Sequence, residues 1–206
     1  MQRHFDLLLI HVTAAYIMCM IPRRRKNSDS TYFFSSRERS KRISTSTALF
    51  LSGYQYDDAV RMGFMRLFDY IEGDNVKKMK IPMTAPVAVE IQPGQGPFCK
   101  NNFTVNFFVP FEDQADPAAP TNKDVFISSL PAFTAYVIVY GGYSNLDDIQ
   151  KYSEQLGKDL VKDGLGDTFR KDVFFYAGYD SPFKPENRHN EIWFLRKDSD
   201  AKPILF

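Results

Sequence analysis

Only two stretches of this chain carry helical periodicity, and that limits the folds open to it. Tyr56 to Ile71 places Tyr56, Val60, Phe64, Leu67, Phe68 and Ile71 on one face. Asn145 to Lys162 does the same with Leu146, Ile149, Tyr152, Leu156 and Leu160. Acidic pairs open both helices (Asp57/Asp58 and Asp147/Asp148), where the helix dipole favours negative charge. Ser144 or Asn145 is the expected N-cap of the second helix, and Gly73 is a natural stop for the first. Strand-like segments fall around these helices, at 43–50, 84–91, 103–109, 133–140, 173–177 and 191–196. Two helices are too few to serve as crossovers in a doubly wound parallel sheet. The expectation is therefore an α+β fold in which the order βαββ occurs twice, either a curved, mostly antiparallel sheet or a distorted, mostly antiparallel β-barrel, with the two amphipathic helices packed on it. The repeat is one of element order, since the halves share no clear residue identity.

Between the first helix and the next strand stands Lys80-Ile81-Pro82-Met83-Thr84-Ala85-Pro86-Val87. Proline lacks a backbone N–H and fixes φ, so two of them exclude a helix or a fully paired central strand here. The segment reads as an edge-type entry into a sheet, with Met83 and Thr84 at its rim.

The formal net charge of +1 offers no strong field for nucleic acid or acidic partners. The two cysteines, Cys19 and Cys99, make neither a disulfide framework nor a metal spacing, which suits a reducing, cytoplasmic setting. His4, His11 and His189 do not pair at ligand spacing, so no metal site is expected. The sequence shows no Ser/His/Asp motif, no phosphate-binding glycine loop and no zinc pattern, and no enzyme is expected.

Residues 1–40 read as an atypical N-terminal segment ahead of a domain at 41–206. The apolar run from Leu7 to Ile21 is short for a membrane span, and Arg23-Arg24-Arg25-Lys26 follows it rather than preceding it, unlike a signal peptide. An uncleaved anchor, an Arg- and Ser-rich organelle address and a tail without function all fit. Mitochondrial or membrane association through this segment stands beside a cytoplasmic location.

Several separated motifs, in order, resemble the SOUL haem-binding family, in its haem-binding-protein-2 branch. They are Ala59-Val60-Arg61-Met62-Gly63-Phe64 with Leu67-Phe68-Asp69-Tyr70-Ile71-Glu72-Gly73, then Lys80–Val87, then Asp124-Val125-Phe126-Ile127. Ala177-Gly178-Tyr179-Asp180-Ser181-Pro182-Phe183-Lys184-Pro185 and Asn190-Glu191-Ile192-Trp193-Phe194-Leu195 complete the set. The resemblance implies a barrel of two βαββ halves that binds haem or a related tetrapyrrole as carrier, buffer or sensor, with no assigned reaction. It also implies links, in some members, to mitochondrial permeability and cell death. Lys41-Arg42-Ile43-Ser44-Thr45 matches a family segment in which Arg42 replaces Trp, and Tyr32–Arg37 takes the place of the family's first strand. Ser36 stands where some members carry a histidine, so the obvious axial ligand is missing.

By analogy with the family, the pocket lies beside the first helix. The candidate groove is lined by Phe64, Met65 and Phe68, with Arg61 and Lys184 for the haem propionates and Tyr179 at the mouth. Against this, a Phe/Leu/Met stripe on a helix is ordinarily core, and Arg61 reads first as a solvated surface cation. A second reading is an interaction protein acting at mitochondria or membranes. Its protein partner would take Leu156 and Leu160 of the second helix into a groove.

Overall fold

In the computed structural model, the structure describes residues 31–36, 40–48, 56–94, 102–130 and 133–197. Residues 1–30 lie outside these, and so do the N-terminal apolar run, Cys19 and Cys99. The chain runs β1 (Thr31–Ser36), β2 (Ser40–Ala48), α1 (Tyr56–Ile71), β3 (Val87–Gln92), β4 (Asn102–Phe108), β5 (Phe126–Leu130), β6 (Phe133–Tyr140), α2 (Leu146–Lys162), β7 (Phe169–Gly178) and β8 (Asn190–Arg196).

All eight strands join one antiparallel sheet in the order β1-β6-β8-β7-β3-β4-β2-β5. Outward from the central β3–β7 seam, the two arms match. One reads β3-β4-β2 and the other β7-β8-β6, so the third, fourth and second strands of each half appear in the same order. Each outermost strand is exchanged: β1 lies against β6 of the second half, and β5 against β2 of the first. The repeat is thus ββαββ, one strand longer per half than the sequence reading. That reading did not resolve β5 as a strand. Thr31–Ser36 enters the sheet, which therefore takes in backbone N-terminal to position 41. The expected barrel is not shown, because β1 and β5 are the two ends of the ladder and the pairing does not close.

Local chemistry sets the helix boundaries. Asn145 caps α2 with a reciprocal capping box: its side chain accepts from Asp148 N, and the Asp148 carboxylate accepts from Asn145 N. Both helices stop in the same way. After α1, Gly73 N bonds Tyr70 O and Asp74 N bonds Asp69 O, with Gly73 at φ 118°. After α2, Gly164 N bonds Val161 O and Leu165 N bonds Leu160 O, with Gly164 at φ 73°. These are paired Schellman turns, which only glycine enters without cost.

β3 begins at Val87, later than the sequence suggested. Upstream of it Thr84 is buried with its hydroxyl on Phe108 O at 2.7 Å, and the Ala85–Pro86 peptide is cis. β7 begins earlier than expected, at Phe169, with an irregularity between Phe169 and Phe174 where it pairs β8.

Both helices pack on one face of the sheet. Leu67, Tyr70, Ile71, Ile149, Leu156 and Leu160 meet Val89, Ile91, Phe103, Val105, Phe107, Ile138 and Ile192 in the larger core. The opposite face forms a second cluster of Phe133, Ala135, Val137, Val173, Phe175, Ala177, Trp193 and Leu195. Truncating a fully buried core residue costs about 2–5 kcal/mol, so Leu67→Ala is expected to lower unfolding free energy by about 3 kcal/mol. Val161→Ala, at a position 66% exposed, is expected to change it by less than about 0.5 kcal/mol. Urea unfolding followed by circular dichroism measures both.

Candidate functional site

Strand alternation sorts the polar residues of β2, β3 and β4 onto one face. Val89 and Ile91 point to the helices, so Ala88 and Glu90 point away. Register then lays out two adjacent rows on the helix-distal face. One runs Ser44, Asn106, Ala88, Ala177, Glu191, Val139. The other runs Thr104, Glu90, Phe175, Trp193, Val137.

These polar groups are buried: Ser44, Glu90, Thr104, Asn106 and Glu191 are each at most 3% exposed, and Arg42 is 5% exposed. Their hydrogen bonds explain why this is tolerated. Arg42 Nε donates to Ser128 Oγ at 2.9 Å, and its Nη2 donates to Glu90 Oε2 at 3.3 Å. Gln92 Nε2 donates to Glu90 Oε1 at 3.0 Å. Ser44 Oγ donates to Asn106 Oδ1 at 2.7 Å, and Asn106 Nδ2 donates to the Ala88 and Thr104 carbonyls. Burial lowers the pKa of Arg42, and the Glu90 carboxylate opposes that shift.

A cleft opens beside this network, enclosing about 430 Å³ of empty space, with the solvent at its mouth included. Its walls include Pro86, Phe108, Phe133, Phe175 and Trp193, and Arg42 and Asn106 reach it. The Phe175 and Phe133 rings lie 6.2 and 6.1 Å from Trp193, and the Arg42 guanidinium sits 5.9 Å from the Phe175 centroid.

Farther along the same face, one carboxylate gathers three donors. Glu191 accepts from His189 Nε2 at 2.7 Å, Trp193 Nε1 at 2.7 Å and Tyr179 OH at 2.9 Å. Burial alone would push its pKa up, but these bonds outweigh it and hold the carboxyl below its ordinary value of 4.5.

The six residues predicted from sequence divide between the two faces. Phe64 and Phe68 stack at 6.1 Å, Phe64 meets Phe107 edge-on at 5.2 Å, and both are half-buried against the larger core. Met65 is 46% exposed on the outer side of α1, next to Met62 at 40%, and Arg61 is exposed with them. Tyr179 packs instead with the helix-distal cluster. Lys184 pairs with Asp180 at 2.6 Å. The loop that carries these two is fixed to the turn ahead of α2, through Tyr143 OH on Pro182 O, the Arg188 guanidinium over the Tyr143 ring and Asn190 Nδ2 on Gly142 O. The structure therefore brings Phe64 and Phe68 together and leaves Arg61 and Met65 on the same helix, while Tyr179 and Lys184 are engaged elsewhere. Leu156 and Leu160 are fully buried, so the face expected to dock into a partner is occupied by the protein's own core.

Sequence reasoning missed the Arg42–Glu90 network. Its only signal was a polar residue at every second position of strands whose other positions are apolar, a pattern that ordinarily marks a solvated face. Among the described residues no group of three or more His, Cys, Asp or Glu could hold a metal ion, and no helix is long and apolar enough to cross a membrane.

A family model described as SOUL heme-binding protein matches residues 28–195. Human Heme-binding protein 2 is 38% identical over 162 residues, covering 79% of this chain and 76% of that protein. Heme-binding protein 1 of Xenopus laevis is 32% identical, covering 72% and 76%. Among solved structures, the EcmrR C-terminal domain superposes with a TM-score of 0.55 at 12% identity, covering 80% of this chain and 95% of that one. SAV2435, in a structure bound to tetraphenylphosphonium, gives 0.50 at 11% identity, covering 82% and 94%. These two share the fold.

Because the Glu191 carboxyl is held low, its contribution to stability is present above its ordinary value and is lost as pH falls through the folded one. Removing the charge with Glu191→Gln is expected to flatten the decline of Tm below about pH 4.5 relative to the parent. Thermal melts at half-unit steps from pH 7 to 3 measure the difference.

Proposed function

We propose that this chain, which belongs to the SOUL heme-binding protein family, binds haem or a related tetrapyrrole reversibly and performs no reaction on it. It would serve as a carrier, buffer or sensor. The observation that carries the reading is the outer face of α1. Met62 and Met65 keep 40% and 46% of their surface exposed beside the half-buried Phe64–Phe68 stack. Apolar surface held at the boundary of a core, next to a cation, suits a flat macrocycle with anionic edges. Arg61 supplies that cation and has no ion-pair partner among the described residues, which leaves it able to take a propionate.

The α1 donors are thioethers. His189, the one histidine among the described residues, is bonded to Glu191 on the other face. The reading therefore needs no histidine ligand, in keeping with Ser36 at the position where some members carry one. Tyr179 and Lys184, held by Glu191 and Asp180, have no part in it. The apolar face of α2, on which a protein partner at mitochondria or membranes was expected to dock, is buried in the protein's own core.

Haemin titrated into the purified full chain is expected to give a saturable Soret change. Arg61→Glu and Met65→Glu are each expected to weaken apparent affinity at least about tenfold, a difference of about 1.4 kcal/mol. Lys184→Glu is expected to leave affinity within about twofold. No saturable change in the parent, or equal binding by all variants, would refute the reading.

A further inference from the structure

The helix-distal cleft has the makings of a binding site that the α1 reading does not use. Arg42 is 5% exposed and lines the cleft. A guanidinium carries five N–H donors. One goes to Ser128 and one to Glu90, so five minus two leaves three without an acceptor among the described residues. A guanidinium fork matches a carboxylate edge. Glu90 does not saturate Arg42: it meets one nitrogen at 3.3 Å, and its other oxygen accepts from Gln92. The other walls of the cleft include Phe175, Trp193, Phe133, Phe108 and Pro86. The lining of aromatic rings favours a planar ring system.

We propose that this cleft is a second ligand site, separate from the α1 face, for a small planar aromatic carboxylate whose ring lies among Phe175, Trp193 and Phe133 and whose carboxylate is taken by Arg42. The proposal does not depend on haem binding. Its chemistry is recognition alone, with the carboxylate displacing water from the spare guanidinium donors.

Trp193 is the only tryptophan of the chain, so its indole N–H gives a single, unambiguous signal from the cleft wall in a proton–nitrogen correlation spectrum. The test titrates 2-naphthoate into the labelled full chain, with methyl 2-naphthoate as the uncharged counterpart of the same ring system. A saturable shift of the indole signal is expected, with the ester at least about tenfold weaker. Ala88→Leu extends a side chain into the cleft while leaving Arg42 and Glu90 unsubstituted and is expected to abolish the shift. Arg42→Met combined with Glu90→Leu removes both charges together, so that neither is stranded. It is expected to lower naphthoate affinity at least about tenfold while leaving ester affinity equal or higher. Circular dichroism confirms that each variant is folded. Haemin added at saturation is expected to leave naphthoate affinity unchanged. The proposal is overturned if acid and ester bind equally, if Ala88→Leu binds like the parent, or if haemin competes with naphthoate. Loss of haemin binding with naphthoate binding intact would count against the α1 reading alone.

Discussion

The structure depends on a sheet that is buried on both sides. Side chains alternate across a strand, so each of the central strands must satisfy two different environments at once. The helix side takes Val89, Ile91, Phe103, Val105 and Phe107, and α1 and α2 seal it. The other side takes Glu90, Thr104, Asn106, Phe175 and Trp193, and among the described residues no helix packs on it. Polar groups placed there lose water and must find partners within the sheet, which is why Ser44, Asn106, Arg42, Glu90 and Ser128 are joined by short side-chain bonds. A one-residue slip in β3 would exchange Val89 and Glu90 between these environments, so register and the polar network enforce each other.

The two halves meet along the β3–β7 seam, where Ala88 faces Ala177 and Glu90 faces Phe175. Their relation goes deeper than element order. Both helices end in the same glycine-terminated turn, and each half lends its first strand to the other. The exchange of β1 and β5 ties the arms together across long stretches of chain, at the cost of leaving both lent strands at the sheet's edges. The Lys80–Val87 segment crosses from one face to the other: Ile81 and Met83 side with the helices, Thr84 bonds the end of β4, and Pro86 forms part of the cleft wall. Its two prolines hold it out of the ladder until Val87, where pairing begins.

Much of this was legible in the residues. The 3.6-residue apolar period placed α1 at its observed ends and α2 within one residue, because caps and stops coincide with the pattern there. β6, with Val, Ile, Thr and Tyr and a Gly-Gly break after it, was equally plain. β5 was not, since Phe126-Ile-Ser-Ser-Leu130 is short, carries two serines and earns its place only by pairing β2. The residues left a curved sheet and a distorted barrel both open and the family likeness favoured the barrel, whereas the observed pairing leaves β1 and β5 as two ends. The site was harder still. Phe64 and Phe68 were visible as a helical stripe, but Tyr179 and Lys184 were joined to them only by analogy, and side-chain hydrogen bonds to backbone carbonyls fix their loop to the turn ahead of α2. Arg42 and Glu90 are 48 positions apart. Nothing in either neighbourhood announces that a polar strand face is buried, because burial on that side is a property of the assembled sheet.

In the proposed readings the two faces have separate uses, an apolar helix face for a tetrapyrrole and a charged aromatic cleft for a smaller ligand. Titrating diamagnetic gallium protoporphyrin IX into the labelled full chain and mapping backbone amide shifts tests it most directly. The account predicts that the shifts gather on residues 61–68 and leave those around Arg42, Glu90 and Trp193 in place. Shifts gathered on the cleft residues, with α1 unmoved, would contradict it.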